Sequence, residues 1–274
     1  MEKIIKDLGT LNGKIMVFGG VYSNLQALEA IKELAFADGI SSKNIICTGD
    51  IVAYCAQPKE CITLIKDWGI HCIAGNVELN LVNDIDHCGC NFEDGSRCDT
   101  FSRQWYPYLK SQVNQDDIDW LATIPEFLSF AYADKKMAVV HGSYFDTSEF
   151  IFKSTEWEKK QANFDALNAD IILAGHCGLP FSQTKNDKLW LNAGVIGMPA
   201  NDGTPKVWYA ILDDSNGFNY EIKALRYDFE KAAELMDDKP LPKTYQQTLR
   251  TGIWDNCEIL PETETKLQGI PLVF

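Results

Sequence analysis

The chain has 274 residues, 46% hydrophobic and 23% charged, a composition that fits a folded globular protein and excludes disordered, collagen-like and coiled-coil classes. Its formal net charge of −14 argues against nucleic acid as a partner, because affinity for a phosphate backbone comes from clustered cations, and against an anionic membrane surface. The start of the chain lacks the apolar core and cleavage site of a signal peptide, and no stretch approaches the ~18 apolar residues of a membrane helix. Together with nine cysteines, these features lead us to expect reduced thiols in the cytoplasm.

In chain order, the apolar run Lys14–Phe18 ends in Gly19-Gly20 and predicts a buried strand followed by a tight turn. Leu25, Leu28, Ile31, Leu34 and Ala35 then recur at helical spacing, with Ser23 or Asn24 available as a cap and Gly39 as a stop. The strand Asn44–Asp50, a helix opened by Pro58 and closed by Gly69, and a strand over Ile70–Asn76 complete a βαβαβ unit with parallel strands. Residues 79–113, rich in Asp, Cys and Gly, read as an irregular loop insertion. A short helix follows near Asp116–Ile124, then strands near Glu126–Tyr132 and Met137–Val140, a helix over Glu156–Asn168 and a strand over Asp170–His176. Leu189–Gly194, Val207–Asp213 and Asn219–Tyr227 read as antiparallel strands, and Phe229–Met236 as a last helix before a turn-rich tail. No linker divides the chain, so residues 1–274 are expected to form a single α/β domain.

Four of these strands end in a polar residue beside a glycine: Gly49-Asp50, Gly75-Asn76, His141-Gly142 and Gly175-His176. Ligand sites in α/β sheets gather at the carboxyl ends of strands, and glycine lets backbone approach a ligand closely. Asp50, Asn76, His141 and His176 make a mixed oxygen and nitrogen donor set suited to a divalent transition metal such as Zn, Mn or Fe. Taken singly, such residues are as well explained as turn caps; taken together, after four apolar runs, they point to a site.

The segments NLQALEAI, GDIVAY, GNVE, HGS, GHCGLPF and NAGVIGMPANDGTPKVWYAIL, in this order, resemble the calcineurin-like metallophosphoesterases, above all their small bacterial phosphodiesterases, from Lys14 to about Tyr227. The resemblance implies a four-layer αββα sandwich of two mixed sheets, and a pair of metals holding a hydroxide that attacks phosphorus. It also implies that Asp50, Asn76, His141 and His176 hold the second metal, with Asp50, His141 and His176 carrying the chemistry.

The departures from the family pattern are concentrated. Where the family has D-x-H-G-N, this chain has Gly20-Val21-Tyr22-Ser23-Asn24; Gly178 replaces the second His of G-H-x-H, and Val77 replaces the His that assists the leaving group. The first metal's own ligands are lost while the second set is whole. Tyr22, His87 and Tyr144 are candidates for the missing proton donor. His87, Cys88, Cys90, Cys98 and Cys177 are candidate ligands for a rebuilt first site or a separate structural metal, and the alternative is that the thiols only pack. Arg97 and Arg103 are candidate phosphate binders, or surface arginines paired with Glu93, Asp94 or Asp99.

The expected function is an atypical metal-dependent phosphoester hydrolase, a phosphodiesterase or phosphatase retaining one of the two family metal sites, acting on a small phosphorylated substrate. The alternative is a catalytically silent family member that binds a ligand or regulates a partner.

Overall fold

The structure is a computed structural model that describes residue 3 and residues 5–274. Strands β1 (Ile5–Thr10) and β2 (Ile15–Phe18) lead into α1 (Leu25–Ala37), capped by the side chain of Asn24. Then come β3 (Ile45–Cys47), α2 (Pro58–Trp68) with Pro58 in its first turn and Gly69 as a left-handed cap, the short β4 (His71–Cys72) and α3 (Asn76–Val82). Helices α4 (Arg97–Gln112) and α5 (Gln115–Leu121) precede β5 (Phe127–Tyr132), β6 (Lys135–Val139), α6 (Trp157–Leu167) and β7 (Ile171–Ala174). Strands β8 (Pro180–Lys185), β9 (Lys188–Ala193), β10 (Val207–Asp213) and β11 (Asn219–Leu225) are followed by α7 (Phe229–Glu234), α8 (Lys243–Thr251) and α9 (Glu262–Thr265).

The strands form two mixed sheets, in the orders β1-β5-β6-β7-β9-β8 and β11-β10-β2-β3-β4. The expected parallel β2-β3-β4 unit is present. Alternation in β2 shows how the layers are made: Ile15 and Val17 face the other sheet, meeting Leu128, Val139, Leu173 and Leu191, while Met16 and Phe18 face α1 and α2. Helix α6 covers the outer face of the six-stranded sheet. The result is the expected αββα sandwich.

Several local expectations are overturned. Residues 79–113 are largely helical: Ser96 caps α4 by accepting from Asp99 N–H, and the polar, Cys-rich start and internal Pro107 disguised a helix whose buried face carries Phe101, Trp105, Tyr106 and Leu109. The strand expected over Ile70–Asn76 is only two residues long, and Asn76 opens α3 instead. Strand β9 is antiparallel only to β8 and lies parallel to β7, in a different sheet from β10 and β11. The tail holds α8, whose Leu249 is wholly buried.

A candidate metal centre beneath an aromatic cavity

The carboxyl ends of β3 and β7, the start of α3 and the turn after β6 meet at one point. There His141 Nε2 lies 3.2 Å from Asp50 Oδ2, 3.2 Å from Asn76 Oδ1 and 3.1 Å from His176 Nδ1. All four residues are buried. Asp50 and His176 both sit at positive φ, 55° and 60°, a strained conformation that the surrounding turns hold in place. The neighbouring glycines are there for space: a Cβ on Gly49 would lie 2.6 Å from His141 Nδ1, and one on Gly75 would lie 2.2 Å from Asp50 Oδ1.

Each donor is aimed by a second contact. His141 Nδ1 lies 2.7 Å from the Thr48 carbonyl, so Nδ1 carries the proton donated there and Nε2 faces the centre. Asn76 Nδ2 donates to the Cys88 carbonyl and to Cys90 Sγ, which turns Oδ1 inward. Burial and the adjacent His141 push His176 down to about 3, so its imidazole stays neutral with a free lone pair. Burial works against charge on both His141 and Asp50, but each offsets this for the other: His141 is raised and Asp50 is held below the ordinary carboxylate range.

Sequence reading passed over Glu78. Its carboxylate, fully buried on α3, accepts from the N–H groups of Asp50 (2.9 Å), Gly75 (2.8 Å) and Val52 (3.1 Å), tying two metal-centre loops together. Burial and the charge of Asp50 push it up to about 7. The Glu of GNVE looks in sequence like an ordinary first-turn acid.

The donor set fits a divalent ion. Metal–ligand distances of about 2.0–2.1 Å place neighbouring tetrahedral donors about 3.3 Å apart, close to the 3.1–3.2 Å spacings around His141 Nε2. Asp50 Oδ1 is buried with no hydrogen-bond partner, which a cation would supply. Asp50, His141 and His176 are the one group of three titratable metal-ligating side chains gathered this closely among the described residues.

The cysteines do not form a second group of that kind. His87 is exposed and turned to Asn80 and Gly89; Cys88 and Cys90 support Asn76; Cys98 bonds Asn256; Cys177 accepts from Asn192 and is pushed up to about 12 by burial. Cys90, Cys98 and Cys177 do line the cavity that Asp50 and His176 share, but no three thiol or imidazole groups among the described residues gather closely enough there to hold an ion by themselves. At two of the positions where the family pattern differs, aromatic rings stand close: a Cβ on Gly20 would lie 2.5 Å from the Tyr22 ring, and a Cβ on Gly178 would lie 3.3 Å from the Trp254 indole. The Tyr22 ring therefore excludes a side chain at residue 20, and Trp254 packs closely against residue 178. Arg97 and Arg103 do not reach the centre either. Arg97 pairs with Asp255, and Arg103 pairs with Asp99 at 3.0 Å, so both are surface ion pairs.

Above the cluster lies a cavity of about 100 Å³, with Asp50 and His176 in its floor. Of the three proton-donor candidates, Tyr22 lines it, whereas His87 and Tyr144 do not. Burial and the charge of Asp50 raise Tyr22 well above its ordinary value, so its hydroxyl keeps its proton. No helix among the described residues is long and apolar enough to cross a membrane.

Known proteins share this arrangement of strands. The chain is 27% identical over 255 residues to an uncharacterized protein of Methanocaldococcus jannaschii, covering 87% of this chain and 98% of that one. Its fold is similar to the crystal structure of a metallophosphoesterase from Sphaerobacter thermophilus, with TM-score 0.69, 21% identity, and coverage of 89% of this chain and 100% of that one. It is also similar to a hypothetical protein from Pyrococcus horikoshii, with TM-score 0.72, 18% identity, and coverage of 88% and 99%. The model of the calcineurin-like phosphoesterase superfamily domain matches residues 14–217, most of the chain and every residue of the four-donor cluster. The chain belongs to the calcineurin-like phosphoesterase superfamily.

Proposed function

We propose that the protein is a metal-dependent phosphoester hydrolase that works with one metal site instead of two. The convergence of Asp50, Asn76 and His176 on His141 Nε2 carries this reading. A divalent Zn, Mn or Fe ion held there supplies Lewis acidity toward a phosphoryl oxygen and makes nearby water more acidic. The side chains divide the remaining work. Thr48 and Glu78 fix His141 and Asp50 in place. The Tyr22 hydroxyl, protonated and beside Asp50, is positioned to donate to the departing oxygen where the family's His is Val77. A tyrosine is a weaker acid than histidine at neutral pH, and general-acid catalysis is worth about 10²–10⁴ in rate. Phosphodiesters with acidic alcohols therefore suit the site better than alkyl monoesters. Thiols left unpaired throughout the described residues suit a reducing cytoplasm.

The test is metal content per chain and hydrolysis of bis(p-nitrophenyl) phosphate, for the native protein and His176→Ala, both purified without a nickel column. One equivalent of metal and measurable turnover, both lost in His176→Ala, are expected. Turnover that survives His176→Ala, or a native protein that takes up no metal after reconstitution, overturns the reading and leaves a ligand-binding role.

A further inference from the structure

The cavity above the metal centre has an unusual wall for a phosphate site. Tyr22, Phe92, Phe150, Met198, Tyr245 and Trp254 all face it, and the Phe150 ring lies over the His176 imidazole, 4.3 Å between centroids and tilted by 32°. No lysine or arginine is among the described residues that line it; the carboxylates of Asp50 and Asp255 are the charged groups there. Arg97 stands behind this wall, paired with Asp255 and lying over the Phe101 ring, two residues that line the cavity. A polyphosphate chain entering this cavity would find, beyond a metal, only a guanidinium already neutralised by Asp255.

We propose that the cavity is a receptor for one aromatic ring carried by the substrate, which is then an aryl or arylalkyl phosphoester with no charge beyond its single phosphate. This rests on the hydrolase reading for the phosphate's place but not for the ring's. Four observations support it. The wall is aromatic and thioether-bearing, the surface on which a flat ring stacks edge-to-face or offset. Its volume of about 100 Å³ lies below the roughly 150 Å³ of an apolar cavity that admits benzene, so it limits the occupant to no more than one ring. Asp50 and His176 share this lining with the aromatic side chains, so a phosphate held by those two would leave its ring among Phe150, Tyr245 and Trp254, with the thiols of Cys90, Cys98 and Cys177 also in the wall. Finally, the ring space adjoins two positions where the family pattern differs, since Tyr22 and Trp254 are the side chains that a Cβ on Gly20 or Gly178 would meet.

The experiment is calorimetric titration of the metal-loaded protein with phenylphosphonate and with methylphosphonate, neither of which is hydrolysed. Phenylphosphonate is expected to bind at least tenfold tighter. That ratio is expected to fall toward one in Trp254→Leu and in Tyr245→Leu, two variants on separate segments, each first shown to keep the native melting transition. Equal affinity for the two phosphonates overturns the proposal, and so does a ratio unchanged in both variants. A phenyl preference in a protein that hydrolyses no ester supports the ring receptor while sinking the hydrolase reading. Turnover of bis(p-nitrophenyl) phosphate with no phenyl preference does the reverse.

Discussion

Gly20 and Tyr22 are a matched pair: the Tyr22 ring lies where a side chain on residue 20 would project, 2.5 Å from the position of its Cβ. Tyr22 in this position requires a glycine at residue 20. Gly20→Asp alone is expected to destabilise the protein by about 1–3 kcal/mol through overpacking, because the ring is 5% exposed and edge-packed on Tyr54. The double change Gly20→Asp with Tyr22→His removes the clash and offers two new ligands beside Asp50. Its urea midpoint should recover relative to the single variant, and elemental analysis should show more metal per chain. A double variant no more stable than Gly20→Asp would show that the two positions are not coupled.

Glu78 holds three backbone N–H groups from two loops of the centre. In Glu78→Gln one carboxylate oxygen becomes an NH₂ that faces N–H donors. A buried unsatisfied donor costs about 1–3 kcal/mol, and loss of an outer-shell partner typically lowers metal affinity about 10–100-fold. Competition with a chromogenic chelator and chemical denaturation measure the two effects. Native metal affinity in Glu78→Gln would mean the loops are held by something else.

Gly75→Ala isolates crowding from backbone strain. Gly75 has φ −86°, which alanine adopts freely, yet its Cβ would lie 2.2 Å from Asp50 Oδ1 and 2.7 Å from Asp50 N. The obstruction is backbone and a braced carboxylate, so nothing yields cheaply. The variant is expected to lose metal binding as well as stability, by more than ~2 kcal/mol at the metal-loaded melt.

Lys160, which lines neither the four-donor cluster nor the cavity, sets a pH dependence of its own. It is 0% exposed, its ammonium donates to the Lys153 and Thr155 carbonyls and to Gln183, and burial lowers it to about 8. The unfolded chain holds that proton up to about pH 10.4. Between these values the unfolded state binds more protons, so stability from this group rises as pH climbs from 8 toward 10, by an amount of order ~2–3 kcal/mol. Denaturation midpoints of wild type and Lys160→Met at pH 7.5 and 10 should diverge in the wild type's favour at the higher pH. A constant difference would refute the assignment.

The layers and the four-donor cluster were legible because short, uninterrupted apolar runs each ended in glycine beside Asp50, Asn76, His141 or His176. That pattern is local, and the fold preserves it. Glu78 was not legible, since its partners are N–H groups brought to it from β3 and from the turn before α3. Strand β1 was missed because IKDLGT is mostly exposed, paired along one edge with β5, and carries little apolar alternation. The aromatic wall was missed because Phe92, Phe150 and Trp254 belong to three distant segments, and because α8 and the residues after it read as a turn-rich tail. His87 and the cysteines drew attention by density in sequence, but spacing along a loop does not fix distance in space.

The upper wall of the cavity comes from α8 and the stretch Trp254–Ile259, which belong to neither sheet and contribute none of the four donors. Trp254 is nevertheless anchored, its indole N–H on the Pro199 carbonyl at 2.7 Å and its backbone N–H on Asn201. On the function proposed above, part of the ring-facing wall would then come from a stretch of sequence separate from the four donors. Randomising the codons of this one short C-terminal stretch would vary that part of the wall while leaving Asp50, Asn76, His141 and His176 untouched.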